Sequence, residues 1–395
     1  MPQPDKRNHS GLAIQLFSGS SILVDCGEGT EIQLMKSSVR MSRIDYIFIT
    51  HLHGDHCYGV FGLLHSICQG GRPSPLYIYG PVGLKRMIDT VFEVSGGWHG
   101  FPIVVTEFTE NEHYELSLPY VPYLRECPQE TLGPITVNVC PMKHRIPTFG
   151  YVFTEADRPG ALDAAAASKR GAHGPMLGFL KAGEDVRTPS GEVICSSDVV
   201  APTIPGRKIA VMQDTSDCTT ALGHLNGCDL LIHECTFHKG LTEKALSTGH
   251  STAEMAGKVA RMCQAKILCL THFSPRYLHD SEIPPSRVSN ALLDRDADAF
   301  SGDSDETSAS TRSVRGSASR VTVEMLQREA CHSANHGRAD GTASIQVLIA
   351  EDFLSLEGPK FDQLNYRDDC RSNPCPRKPA KVPKRKAQLR DTFSS

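Results

Sequence analysis

The stretch Thr50-His51-Leu52-His53-Gly54-Asp55-His56 constrains this chain more than any other. It follows Arg43-Ile44-Asp45-Tyr46-Ile47-Phe48-Ile49, an apolar and β-branched run that reads as a buried strand. It precedes Tyr58-Gly59-Val60-Phe61-Gly62-Leu63-Leu64, which reads as helical. Three imidazoles and a carboxylate therefore occupy a strand-to-helix loop. Groups packed this densely would repel one another as they charged unless something bound them. A metal site, of two ions, is the economical explanation. His51 and His53 project alike from an extended segment, while Asp55 and His56 lie past the Gly54 bend and can face a second ion. Without metal, the same stretch would be an incidental or pH-sensitive polar loop.

A chain of 395 residues with 39% hydrophobic content can bury a substantial core, as one large or two ordinary domains. The formal net charge of -4 gives no global attraction to polyanions, so any nucleic-acid contact must come from local basic surfaces. The 14 cysteines are scattered, with no CxxC pair and no regular framework. With no signal peptide in view, they read as reduced thiols of an intracellular protein, and Cys26, Cys57, Cys235 and Cys269 as small buried filler. No apolar run approaches the ~20 residues of a membrane-spanning helix, so no membrane partner is expected.

Along the chain, Leu12-Ala13-Ile14-Gln15-Leu16-Phe17 and Ile22-Leu23-Val24-Asp25 predict a hairpin, followed by the Gly-rich strand end Asp25-Cys26-Gly27-Glu28-Gly29-Thr30 and a helix over 31–36. Strands are predicted over 76–81, 103–108, 135–142 and 151–154, with a helix over 82–94. Segment 155–193 loosens into alanine, Gly, Pro and basic residues and reads as an excursion from the core. Order resumes with apolar strands before Asp214, His233-Glu234 and His272, and a helix over 252–263. Strand after strand ends in Asp or His, and ligands at the carboxyl ends of neighbouring strands can converge on one rim of a sheet. The alternation implies a layered α/β body over residues 1–294. Residues 295–319 read as a disordered insertion, 320–358 as a helix and strand completing the core, and 359–395 as a basic disordered tail. The basic run Pro383-Lys384-Arg385-Lys386 is either a solvated face or a nuclear-import or RNA-contacting segment.

A two-metal hydrolase needs two ligand sets and a bridging carboxylate, with ions ~3.5–4 Å apart. His144, Asp214 and His272 each follow a predicted strand and supply candidates. Any one alone would be an ordinary structural polar group; with the Thr50-to-His56 cluster they make a complete set.

These blocks resemble the metallo-β-lactamase superfamily and, within it, the short form of the tRNase Z family. The resemblance rests on Asp25-Cys26-Gly27-Glu28-Gly29-Thr30, the metal loop, Lys143-His144-Arg145-Ile146-Pro147, His233-Glu234-Cys235-Thr236-Phe237, Gly249-His250-Ser251-Thr252 and Thr271-His272-Phe273-Ser274 with Arg276-Tyr277. It implies a four-layer αβ/βα fold and two Zn²⁺ per subunit, with Mn²⁺ or Mg²⁺ as substitutes. His51, His53 and His144 would hold one ion, Asp55, His56 and His272 the other, and Asp214 would bridge. Asp55 would also accept a proton from the attacking water, His250 would stabilise the transition state or protonate the departing oxygen, and Glu234 would orient it. Asp25 would either hydrogen-bond the loop that presents the histidines or simply cap the Gly turn after it. The activity implied is an endoribonuclease that removes 3′ trailers from tRNA precursors, leaving a 5′-phosphate on the trailer, in a homodimer of the cytoplasm or nucleus, an organelle not being excluded. A general phosphodiesterase of the superfamily and a non-catalytic RNA-binding scaffold are the alternatives.

Segment 155–193 resembles the family's protruding tRNA-gripping arm, with Lys169, Arg170, Gly174, Pro175 and Lys181 as tRNA-binding candidates. Lys6 and Arg7 lie in a segment, Pro4-Asp5-Lys6-Arg7-Asn8, that resembles an N-terminal loop of the family and would also meet tRNA. The family has a strand before that loop, so the first strand is expected to be missing here. Gln213, Glu31 and Cys235 depart from the family pattern without removing a ligand.

Overall fold

Uninterrupted apolar runs make buried strands, and the chain has enough of them for two sheets. The computed structural model describes residues 7–97, 100–119, 134–282, 321–337 and 343–350. Five strands, β1 (Leu12–Gln15), β2 (Ser21–Val24), β3 (Ile44–Phe48), β4 (Leu76–Pro81) and β5 (Ile103–Phe108), form one sheet in that order. β1 and β2 pair antiparallel as the predicted hairpin, and β2 to β5 run parallel. The second sheet contains β6 (Tyr114–Ser117), β7 (Ile135–Met142), β8 (Thr148–Glu155), β11 (Lys208–Met212), β12 (Leu230–Glu234), β13 (Ile267–Thr271) and β14 (Gln346–Ile349). Its order is β14-β13-β12-β11-β8-β7-β6, parallel from β11 to β14 and antiparallel elsewhere.

The sheets face each other through aromatic side chains. Phe48 of β3 meets Tyr151 and Phe153 of β8 edge-on at 5.0 and 5.1 Å between centroids. The Tyr151 hydroxyl donates to the Ile49 carbonyl at 2.6 Å, so the ring's polar tip is satisfied inside the core. Helices Val60–Gln69 and Leu84–Ser95 cover the outer face of the first sheet through Leu63, Leu64, Ile67, Leu84 and Ile88. Helices Ala253–Met262 and Val323–Asn335 cover the second. The buried face of Ala253–Met262 is Ala253, Ala256, Gly257 and Ala260. These small residues allow close backbone approach: a Cβ on Gly257 would lie 2.4 Å from the Ala330 carbonyl oxygen. The result is the expected four-layer αβ/βα arrangement.

Three details differ from the sequence reading. Tyr114–Ser117 is a strand that the sequence does not announce, because four residues at a sheet edge, none of them fully buried, carry little apolar signal. The strand predicted over 151–154 begins at Thr148, since the β7–β8 hairpin pairs all the way to Met142↔Thr148. The excursion is longer and better ordered than its composition suggests. It runs from the end of β8 to Lys208 and contains helices Ala164–Lys169 and Pro175–Lys181, the ribbon β9 (Val186–Arg187) with β10 (Val193–Ile194), and the turn Ser196–Val199. Its own small core consists of Ala167, Ala172, Leu180, Val186, Ile194 and Val199. The insertion over 295–319, the tail over 359–395 and Lys6 lie outside the described residues, as does the end of the last predicted strand past Ala350.

Candidate metal centre

The candidate ligands, and Glu234 with them, reach one rim because the strands that carry them end there. β3 delivers His51 and His53, β7 delivers His144, and the parallel neighbours β11, β12 and β13 deliver Asp214, Glu234 and His272. Asp55 and His56 stand on the first turn of a short helix, Gly54–Cys57, rather than in an open loop. Three of the strand-end residues adopt a left-handed backbone, Asp25 at φ 58°, Asp214 at φ 35° and His272 at φ 57°. Such conformations are unfavourable for residues other than glycine and persist where the surroundings over-determine them, as at functional sites.

The Asp214 carboxylate divides its two oxygens between two sets of histidines. Oδ2 lies 3.6 Å from His51 Nε2 and 4.0 Å from His144 Nε2. Oδ1 lies 3.4 Å from His56 Nε2 and 3.3 Å from His272 Nε2. His53 Nδ1 is 3.3 Å from His144 Nε2, completing the first set. Asp55 Oδ2, 3.8 Å from both His56 Nε2 and His272 Nε2, completes the second. Ligand atoms of His51, His53, His144 and Asp214 all lie within 4.8 Å of one another, as do those of Asp55, His56 and His272.

Four of the inward-facing atoms make no hydrogen bond to the protein. His51 Nε2, His56 Nε2, His272 Nε2 and Asp214 Oδ1 are buried without a hydrogen bond, an arrangement too costly to leave unmade unless a cation receives them. The outward-facing nitrogens, by contrast, are held. His56 Nδ1 donates to Asp25 Oδ2 at 2.7 Å, His144 Nδ1 to the Gly249 carbonyl at 2.7 Å, and Thr50 Oγ1 and Thr236 Oγ1 meet His51 Nδ1 and His272 Nδ1 at 3.0 and 2.9 Å. This pattern fixes ring orientation and aims the other nitrogen inward, as metal-ligating histidines require. Asp25 is fully buried and also accepts from the Thr50 backbone N–H and hydroxyl, so it supports the loop rather than merely capping the next turn.

Electrostatics point the same way. Burial holds His51 well below the ordinary imidazole range, and the neighbouring His56 deepens the shift; burial likewise lowers His53 and His144. Neutral imidazole is the ligating form. At His56 burial is outweighed by Asp214 and Asp25, which push it up to about 9. Burial alone would raise Asp214, but His272, His56, His51 and His250 hold it well below the usual carboxylate range. Burial is overcome at Asp55 too, by the hydrogen bond to His272 and by His56. Both carboxylates are ionised and surrounded by imidazoles, the environment in which a divalent cation neutralises negative charge.

His250 sits beside this set with a different attachment. Its Nδ1 is 3.1 Å from Glu234 Oε1 and 3.9 Å from Asp214 Oδ2, so the nearer carboxylate holds it. Glu234 is fully buried, and Oε1 also accepts the Thr215 N–H at 2.6 Å while Oε2 accepts the Thr236 hydroxyl at 2.6 Å. Burial lowers the pKa of His250, but the Glu234 hydrogen bond and charge outweigh it and raise it, keeping a proton available.

Sequence reasoning missed the supporting groups Thr50, Thr236 and the Gly249 carbonyl, although each lies within a quoted block. It also gave no reason for two glycines. A Cβ on Gly27 would lie 2.2 Å from the Asp55 carbonyl oxygen, and one on Gly59 would lie 2.1 Å from that of Gly27. The strand-end turn after Asp25 therefore packs backbone to backbone on the metal loop, through Cys26 N–H to His56 O and Gly59 N–H to Cys26 O, both 2.8 Å.

On the excursion, Gly174 and Lys181 are exposed, and Pro175 opens the second of its helices. Lys169 closes the first of those helices. Arg170 is tied within the excursion to Glu192 Oε1 at 2.7 Å, Asp198 Oδ2 at 2.9 Å and the Val193 carbonyl. Arg7 is partly buried, donating to the Tyr277 carbonyl with its guanidinium 5.9 Å from the Phe273 ring centroid. No helix among the described residues is long and apolar enough to cross a membrane, and each cysteine among them is a free thiol.

A protein-family profile described as Anti-Pycsar protein Apyc1 matches residues 5–85. The chain is 39% identical over 256 residues to Ribonuclease BN of Cronobacter sakazakii, a match spanning 65% of this chain and 79% of that protein. It is 40% identical over 275 residues to Ribonuclease Z of Brevibacillus brevis, spanning 69% and 81%. Among solved structures, human tRNase Z, short form, shares 32% identity over 70% of this chain and 89% of its own, with a TM-score of 0.48. With relatives this similar over most of their length, and with its ligands gathered on one rim between two sheets, the chain belongs to the ribonuclease Z (tRNase Z) family of the metallo-β-lactamase superfamily.

Proposed function

We propose that this chain is a metal-dependent endoribonuclease that removes 3′ trailers from tRNA precursors, using two Zn²⁺ ions per subunit. The observation that carries the reading is the divided Asp214 carboxylate, one oxygen toward each histidine set, with the inward nitrogens left for cations. His51, His53 and His144 would hold one ion, Asp55, His56 and His272 the other, and Asp214 both. When bound, the two cations acidify a water and offset the charge of the scissile phosphate.

The chain's own residues then divide the proton work. Asp55, ionised and part-exposed, accepts a proton as the water oxygen bonds to phosphorus. Phosphorus parts from the 3′ oxygen of the tRNA body, and His250 gives that oxygen a proton from Nε2 while its Nδ1–H stays on Glu234. The tRNA keeps a 3′-hydroxyl and the trailer a 5′-phosphate. Glu234 is a positioning group, since it touches His250 and not the substrate. Lys169 and Lys181 of the arm meet phosphates without reading sequence, and Arg170 braces the arm that carries them. The working form is a homodimer.

Purified protein incubated with a trailer-bearing tRNA precursor should release a 5′-phosphorylated trailer with Zn²⁺ or Mn²⁺ present, and none after chelation. No cleavage with either metal refutes the reading; cleavage of small phosphodiesters alone would place the chain with general phosphodiesterases.

A further inference from the structure

Apart from the rim ligands, and sharing none of them, three more metal-binding side chains gather where the seven-stranded sheet ends at β6. β6 pairs with β7 antiparallel as Tyr114↔Val139. His113, one residue earlier, is thus opposite Cys140 on the same face, as cross-strand neighbours are. Cys140 packs in the cluster under the covering helix, with Cys218, Ala221 and Leu225. The third side chain, His224, comes from the Leu222–Leu225 turn, whose approach is pinned to β7 by the Thr220 hydroxyl on the Pro141 carbonyl at 2.7 Å. One nitrogen from each imidazole and the Cys140 sulfur lie within 4.8 Å of one another. The His113 and His224 rings are 5.9 Å apart between centroids. His113 is exposed, His224 half-buried and Cys140 buried, so a thiol forms the floor of a site that opens to solvent between two imidazoles.

We propose that His113, Cys140 and His224 form an accessory site for a borderline-soft divalent metal ion of the zinc type, clasping the edge strand β6 to the turn above it. Two imidazoles and a thiolate are a donor set suited to zinc, with a fourth position left for water. As the ion enters, a sulfur–metal bond forms and the thiol proton leaves to solvent. Burial pushes the Cys140 thiol up to about 12, so the sulfur stays protonated until an ion displaces the proton. Bonds of ~2.0–2.3 Å in a tetrahedron need ligand separations of roughly 3.3–3.7 Å. The exposed His113 side chain can supply the contraction by turning about its own torsions. No ligand is shared with the dimetal centre, so the site stands or falls independently of the nuclease reading.

Cobalt tests it in the whole protein. The residues assigned to the dimetal centre contain no cysteine, so a near-ultraviolet thiolate-to-cobalt charge-transfer band reports a cysteine-bound ion elsewhere. The wild-type protein loaded with Co²⁺ should show the band, and Cys140→Ala should lose it. The His113→Ala/His224→Ala double variant, which alters only side chains with solvent access, should lose it too, with one fewer metal per chain. That variant keeps the test valid should Cys140→Ala fold poorly. Absence of the band in wild type, or its persistence in the double variant, overturns the proposal.

Discussion

The metal rim and the arm are built on opposite plans. The rim is assembled from segments that lie far apart along the chain, and its innermost polar groups are buried: His51, His56, Asp25 and Glu234 are all inaccessible. Its strained residues hold because strand pairing, aromatic packing and a second layer of hydrogen bonds fix each one. The arm is local. It leaves β8, closes on itself through bridges between Arg158 and Ile204 and between Leu162 and Val200, and returns at β11. Its ordering rests on six buried side chains, an Asp163 cap on the Ala166 N–H at 2.8 Å, and the Arg170 brace. A cap contributes about 1 kcal/mol and a buried aliphatic side chain about 1.5–3 kcal/mol, against ordering costs of about 1–2 kcal/mol per residue. The arm therefore belongs at the low-stability end of the molecule and the rim at the high end. On the proposed reading the rim carries the chemistry and the arm the grip on substrate, and the two are built so that each can be perturbed separately.

The sharpest break in that comparison is at Asp214. Replacing it with Asn should cost on the order of 10⁴-fold in turnover of both precursor tRNA and a small phosphodiester, because one residue serves both ligand sets. Metal content per chain should fall with it. Equal retention of both activities would show that the carboxylate does not bridge.

His250→Ala should lower kcat by roughly 10²–10³-fold with KM nearly unchanged, the signature of a group acting in the transition state. A metal content equal to wild type would separate it from the ligands, as its attachment to Glu234 implies. Depleted metal in this variant would instead make His250 a ligand.

Removing the second layer costs less. Asp25→Ala deprives His56 Nδ1 of its acceptor and Thr50 of its anchor. Metal affinity should fall ~10–100-fold, measured by chelator competition, and activity should be restored by excess metal.

The smallest effect belongs to the arm. Lys169→Ala with Lys181→Ala should leave small-phosphodiester hydrolysis intact and weaken tRNA binding. The slope of log affinity against log salt should become shallower by about one for each phosphate no longer neutralised. An unchanged slope would remove these lysines from the interface. A drop in small-substrate turnover would show that arm and rim are coupled after all.

The two regions also differ in how far they are legible in the chain. The candidate ligands that gather on the rim are readable because metal chemistry demands rare residue types in tight spacing, and because each set follows apolar strands. The arm's helices are not, since short polar and alanine-rich segments carry little periodic signal and their order depends on packing against one another. Tyr114–Ser117 escapes for a related reason, being an edge strand of alternating half-buried and exposed residues. Arg170 shows the same limit at a single side chain: sequence offers a cation, and only the fold shows it engaged by Glu192 and Asp198.

By itself the sequence determined the layered α/β body, the buried strands and the seven side chains around the centre, because burial and ligation act through residue identity and short-range order. The tertiary structure alone decided which oxygen of Asp214 faces which histidine, that Asp25, Thr50, Thr236 and the Gly249 carbonyl hold the outer nitrogens, and that His113, Cys140 and His224 meet at a sheet edge. Those facts depend on register and strand direction, which place distant residues within hydrogen-bond reach. The loop at Thr50 to His56 announces metal from its composition; its partners are chosen by where neighbouring strands end.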